Sequence, residues 1–200
     1  MENPKIALLL AIACLLTATA TATAAGAGET SWIQTFCRGN KSTTKLHFYV
    51  HDVRAGPNAT LFNVANSSIT ATSPTAFGRV NVFDDSVTVA PDITSEEVAR
   101  AQGTTTSMDL NVQAYSMNLN FFLTSGEFNG STVTVIGRNQ FADEERELSV
   151  ATGSKAFRDA RGYAITKTVS FEEATNYSVL EYTIYVKTSK RCSYVASASS

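Results

Sequence analysis

An all-β fold, closed as an antiparallel barrel or packed as a sandwich, follows from three features of the sequence. Short runs rich in β-branched and aromatic residues recur at near-even spacing. Gly, Asn and Ser separate them, as turns require. No repeat, charge block or Pro-rich linker interrupts residues 45–190, so this stretch reads as one unit. Barrel and sandwich produce the same alternation, and the pattern alone does not separate them; closure of a barrel has the advantage of removing exposed edges.

In chain order, strands are predicted over residues 46–54, 60–66, 78–83, 104–116, 117–124, 131–138, 147–151, 162–170 and 177–188. The step Asn129-Gly130 suits a tight hairpin, since both residues tolerate positive φ, and makes its neighbours antiparallel. One helical signal interrupts the series. Thr94-Ser95-Glu96-Glu97 has the form of a capping box ahead of Val98–Gln102, with Gly103 placed as a C-cap, which predicts a short connecting helix.

The ends read differently. Lys5 precedes the apolar run Ile6–Leu16 and a tail of small residues with A-x-A sites such as Ala22-Thr23-Ala24. This is the pattern of a cleaved secretory leader over residues 1–25, too short to span a bilayer, which takes about 20 apolar residues. Residues 26–44 then form an N-terminal segment, 45–190 the β unit and 191–200 a tail. Removing the leader removes Cys14 and leaves Cys37 and Cys192 as an even pair in an oxidising compartment. A disulfide between them is the natural pairing, worth about 5 kcal/mol on the chain-entropy model; two free or intermolecular thiols are the alternative. Secretion also gives meaning to the N-x-S/T sequons at Asn40, Asn58, Asn66, Asn129 and Asn176, which predict glycans on exposed loops or strand ends. A net charge of -2 and a charged fraction of 17% provide no basic field for nucleic acid or an anionic membrane.

Few residues invite chemistry. Nucleophile-elbow, phosphate-loop, dinucleotide and C-x-x-C motifs are missing, so no cofactor is predicted. His47 and His51, four apart in a strand, stand about 13 Å from each other and do not chelate one ion, so no metal is predicted either. Alternation in Leu46-His47-Phe48-Tyr49-Val50-His51-Asp52 places Leu46, Phe48, Val50 and Asp52 on one face. If that face lines a lumen, desolvation suits Asp52 to act as a proton donor or acceptor. Otherwise Asp52 orders the turn that follows. Arg146 lies in the charge cluster Asp143-Glu144-Glu145-Arg146-Glu147, where a solvated loop accounts for it. Asp84-Asp85 reads as a strand exit or as an acid/base pair.

The ordered set Leu46-His47-Phe48-Tyr49-Val50-His51-Asp52, Phe83-Asp84-Asp85, Ala99-Arg100-Ala101-Gln102-Gly103, Asn129-Gly130-Ser131-Thr132, Gly137-Arg138-Asn139 and Phe157-Arg158-Asp159-Ala160-Arg161-Gly162-Tyr163-Ala164 resembles the plant dirigent family from Lys45 to Val186. The resemblance implies an eight-stranded antiparallel β-barrel like that of allene oxide cyclase, with a pocket in its mouth. It implies a homo-oligomer, trimer or dimer, in the apoplast, and a disulfide joining the terminal cysteines. It implies a guide protein that steers the coupling of phenolic radicals without oxidising them, a laccase or peroxidase being the external oxidant. On this resemblance Asp52 and Arg146 become the acid/base residues, with Asn139 and Phe48 as substrate contacts. Pinoresinol-forming members carry Asp where this chain has Asn139, so the chain resembles other branches. These include lyases that dehydrate an isoflavanol to a pterocarpan and cell-wall lignification factors. Thr152-Gly153-Ser154-Lys155 in place of GGTG, and the lack of aromatic residues after Gly103, predict a more polar pocket.

Overall fold

The computed structural model describes residues 31–38 and 41–189. The leader, Asn40, Cys192 and the tail lie outside them. Ten strands follow one another: β1 (Ile33–Arg38), β2 (Lys41–Val53), β3 (Leu61–Ala65), β4 (Val80–Thr88), β5 (Glu97–Ser107), β6 (Ala114–Leu123), β7 (Thr132–Gln140), β8 (Arg146–Gly153), β9 (Arg161–Glu172) and β10 (Tyr177–Thr188). They form one sheet in the order β1-β2-β10-β9-β8-β7-β6-β5-β4-β3, and a further β2–β4 pairing closes it. The result is an antiparallel barrel of eight strands, β2 and β4–β10.

The closing seam is short. Tyr49, Val50 and His51 of β2 face Thr88, Val87 and Ser86 of β4. On either side of these pairs the two strands diverge, and β1 takes the free edge of β2 from Lys41 to Leu46 while β3 takes that of β4 from Val80 to Phe83. Both outer strands thus satisfy backbone groups that the seam leaves open.

Period-two alternation fills the barrel. Leu46, Phe48 and Val50 of β2, Leu119, Phe121 and Leu123 of β6, and Tyr182, Ile184 and Val186 of β10 are all buried. Phe121 packs at 4.8 Å from Phe48 and 5.2 Å from Tyr182, measured between ring centroids. Such contacts add about 0.5–1.5 kcal/mol each beyond the area they bury. The core plugs the end of the barrel holding Leu46, Leu123 and Val186; polar residues collect at the other.

Three sequence expectations give way. The expected helix at 94–102 is instead the start of β5. Asp92, not Thr94, organises the turn, its Oδ1 accepting from the Thr94 backbone N–H, and the chain then alternates inward as a strand because β4 and β6 pair with it on both sides. Gly103 is no C-cap: a Cβ there would meet the Asn118 carbonyl oxygen at 1.9 Å. The expected strand 104–116 breaks at residues 108–113, where Asp109 Oδ1 accepts from the N–H groups of Asn111 and Val112. Around Asn129-Gly130 the strands are antiparallel as expected, but a loop over 124–131 replaces the tight hairpin, with only Gly130 of the two at positive φ. Phe128 explains the longer loop, since its ring packs 4.8 Å from that of Phe157 beneath the barrel floor.

Candidate functional site

Polar side chains converge at the mouth because each strand that reaches it ends its inward alternation on a polar residue. On β2 the series Leu46, Phe48, Val50 ends in Asp52; on β7 Val133, Val135 and Gly137 lead to Asn139; on β8 the inward positions run outward from Val150 and Leu148 to Arg146. Asn81 on β4, Thr105 and Ser107 on β5, and Tyr115 and Met117 on β6 complete the ring. The cavity holds about 600 Å³, and residues 70–79 lie across its rim. That volume falls within the usual range for small-molecule sites, about 300–1,000 Å³.

Asp52 is 6% exposed. Its Oδ2 accepts from Arg54 Nε at 2.8 Å and Nη2 at 2.7 Å, while the buried Oδ1 has no partner. Arg146, 4% exposed, donates from Nε to Asn139 Oδ1 at 3.2 Å and from Nη1 to the Asp143 carbonyl at 3.2 Å; its buried Nη2 has no partner. Burial holds its guanidinium below the ordinary arginine value. Its cluster neighbours Asp143, Glu144, Glu145 and Glu147 are exposed, so the parity of β8 turns only the arginine inward. The ring of Phe141 lies 5.5 Å from the Arg54 guanidinium and 6.0 Å from that of Arg146.

Two further groups stand behind these. Tyr182 on β10 is 1% exposed, and burial pushes its phenol up to about 12. Asp85 on β4 is 3% exposed and lies 2.6 Å, through Oδ1, from Thr60 Oγ1. Burial first, then the charge of Asp52, pushes its carboxyl up to about 8. Sequence reasoning left Asp85 as a strand exit or half of an acid/base pair, whereas β4 continues through it to Thr88, and it missed Tyr182. The parity of β4 and β10 was available for both, but without the β2–β4 register it points to no site.

The other residues named from sequence are placed as follows. Phe48 is fully buried in the core, two inward positions below Asp52, and is not part of the cavity lining. Asn139 lines the cavity but gives its carbonyl oxygen to Arg146. Asn58, Asn66, Asn129 and Asn176 are exposed, and Asn176 lies on the cavity rim. Cys37 lies on β1.

A second hollow of about 570 Å³ lies outside the barrel, between the Gly56–Asn58 arch, Ile93 and Tyr177. Its buried polar residue is His51, and both ring nitrogens are satisfied. Thr88 Oγ1 donates to the Ala90 carbonyl, so it accepts from His51 Nε2–H at 2.6 Å, and Nδ1 accepts from the Tyr177 hydroxyl at 2.6 Å. Burial holds this imidazole below its usual value, in keeping with a neutral ring. Of the five buried side-chain polar atoms without a partner among the described residues, the two from charged groups, Asp52 Oδ1 and Arg146 Nη2, line the mouth, and the hydroxyls of Thr166, Thr168 and Ser178 line neither hollow; an unpaired buried polar group costs about 1–3 kcal/mol until something pairs it. Among the described residues no three His, Cys, Asp or Glu side chains gather as a metal site, and no helix is long and apolar enough to cross a membrane.

The model of the Dirigent-like protein family matches residues 43–187. The chain is 46% identical over 143 residues to dirigent protein 21 of Arabidopsis thaliana, covering 72% of this chain and 76% of that protein. It is 39% identical over 144 residues to pterocarpan synthase 1 of Glycyrrhiza echinata, covering 72% and 77%. The solved structure of the pterocarpan synthase dirigent protein GePTS1 superposes with a TM-score of 0.70 at 36% identity, over 78% of this chain and 90% of that one.

Proposed function

The chain belongs to the dirigent family, and from that premise we propose that its barrel mouth binds phenolic radicals or closely related phenols and fixes the geometry in which they couple, the oxidation being done by an external laccase or peroxidase. The observation that carries this is the pair of orphaned groups. Asp52 Oδ1 accepts and Arg146 Nη2 donates, both buried and both on the cavity wall. A phenol ring bearing hydroxyl groups answers both needs, and the half-buried ring of Phe141 offers an aromatic face beside them. Arg146 is suited to an oxygen on which negative charge develops during ring closure, since a desolvated guanidinium is worth more there than in water. Asp52 is suited to take the proton of the attacking hydroxyl. Asn139 holds the Arg146 fork in place.

A second reading uses the same groups as a lyase, an isoflavanol losing water as a pterocarpan ring closes, and the likeness to pterocarpan synthases favours it. One experiment separates the two. Coniferyl alcohol is coupled by a one-electron oxidant with and without the protein, and the products are resolved by chiral chromatography; a parallel arm offers an isoflavanol with no oxidant. An enantiomeric excess that needs the protein supports coupling. Turnover in the second arm supports the lyase, and racemic product with no turnover contradicts both.

Secretion to the apoplast, glycans on the sequons, a Cys37–Cys192 disulfide and a homo-oligomer belong to the same proposal. Exposure of the four described sequon asparagines supports the glycans. The outward face of β3 and β4, where Phe62 is 60%, Val64 59% and Val82 43% exposed, supports association of like chains.

A further inference from the structure

Asp52 and Asp85 occupy inward positions on the two strands that close the barrel. Register pairs Val50 with Val87 and His51 with Ser86, and Asp52 and Asp85 are the next residue on each strand, where that ladder ends. Both residues are more than nine-tenths buried. Two guanidiniums act on these carboxyls, and both are committed elsewhere than to Asp85: Arg54 reaches Oδ2 of Asp52 through both Nε and Nη2, and Arg100 pairs with Asp84 and Glu97. Asp85 is left with a neutral hydroxyl, Thr60 Oγ1. That hydroxyl has a second outlet, the Val53 carbonyl at 3.4 Å, so it is free to accept a hydrogen bond from a protonated Asp85 instead of donating one to it.

Two buried carboxylates at the end of one ladder do not both stay ionised when the nearby arginines are already paired, because the second charge has neither water nor a counter-ion of its own. We propose that Asp52 and Asp85 form a coupled pair that holds one proton, Asp52 being the ionised member that meets the ligand and Asp85 the protonated positioning residue behind it. The proposal rests on the reading of the mouth as the binding site. Asp85 does not reach the cavity wall and acts only through Asp52. The groups that bear on it are Asp52, Arg54 and Arg100, with the phenol of Tyr182 on β10, and burial outweighs the two arginines.

The arrangement has a consequence for chemistry in the mouth. When a ligand hydroxyl gives its proton to Asp52 Oδ1, one O–H bond breaks on the ligand and one forms on the carboxyl. The charge that opposed ionisation of Asp85 then vanishes, and Asp85 becomes a stronger acid than before, with burial still raising it. Coupling of this kind is reciprocal, so neither carboxyl has a proton affinity of its own. The two carboxyls thereby carry a single negative charge between them, matched to Arg54.

The test is a carbon-13 NMR titration of the protein labelled at the aspartate γ-carboxyl. One carboxyl resonance is expected to titrate near pH 8, to be missing in Asp85→Asn, and to move to lower pH by at least about half a unit in Asp52→Asn, within the range that removing a nearby charge produces. If every aspartate titrates below about pH 5, within the ordinary carboxyl range, the proposal is overturned. It is equally overturned if the late resonance does not move in Asp52→Asn, since burial alone would then explain it. Should Asp85→Asn fail to fold, the wild-type and Asp52→Asn spectra still decide. No substrate enters this measurement, so its failure leaves the coupling function standing, and racemic product would leave the pair standing.

Discussion

Arg146 and Asp52 each leave one buried polar atom without a partner, and these atoms fix what substitutions do. Arg146→Met keeps the volume of the stem and removes the donor, so product selectivity should fall at least tenfold while the fold survives. The measurement is enantiomeric excess beside a thermal melt. Asp52→Asn should cost a comparable factor, because an amide accepts a hydrogen bond but takes no proton at neutral pH. Two buried groups titrate in opposite senses. Asp85 has its carboxyl raised to about 8, so the folded state binds more protons than the unfolded one, and stability should fall as pH rises from about 4 to about 8. His51 is lowered by burial, so stability should fall as pH drops below its ordinary value of about 6.5. Unfolding by urea across this range should show Asp85→Asn losing the alkaline decline, by an amount on the order of a few kcal/mol, and keeping the acid one. At this scale alternation placed Asp52 on the face of Leu46, Phe48 and Val50 but left open whether that face lines a lumen. For Arg146 the residue pattern alone pointed to a solvated loop, and only the family resemblance singled it out, because its inward direction depends on the parity of β8 and is hidden in a run of surface charges.

The strands differ in how firmly they are held. The β2–β4 seam rests on the residue pairs Tyr49/Thr88, Val50/Val87 and His51/Ser86, whereas β10 pairs β2 from Tyr177/Val53 to Thr188/Ser42. Backbone amides of Val87 and Thr88 should therefore exchange with solvent sooner than those in the middle of β10, and equal protection would show that the seam is not the weak element. Gly103 marks the opposite case. A methyl group there would collide with the Asn118 carbonyl, so Gly103→Ala should force β5 from β6 and destabilise by about 1–3 kcal/mol or more, read by urea unfolding. The same residue shows why β5 was misread. A capping box followed by Val, Ala, Arg and Ala suits a helix locally, and only pairing with β4 and β6 makes the segment a strand. Most other strands were legible, because one buried face writes period two into the sequence; β1 was not, since it pairs one edge of β2 and has little buried face to mark it.

Over the whole molecule, the family resemblance in the sequence supplied what alternation could not, since barrel and sandwich alternate alike and closure depends on β2 meeting β4 across β3 and the loop after it. The closed barrel then sorts its contents by height, with aromatic and aliphatic side chains at one end and amides, hydroxyls and charges at the other. A ligand that binds this mouth and not the unfolded chain should stabilise the fold by about 2.7 kcal/mol at one hundred times its Kd, a rise in Tm of roughly 5–10 °C for a domain of this size. The mouth, and not the outer hollow beside His51 and Tyr177, is the site in this account. The most direct measurement is amide chemical-shift mapping with coniferyl alcohol and with an isoflavanol. Shifts centred on Asp52, Asn81, Thr105, Asn139 and Arg146, and abolished in Arg146→Met, are the predicted result; shifts centred on Gly56, Asn58, Ile93 and Tyr177, or none with either compound, would contradict it.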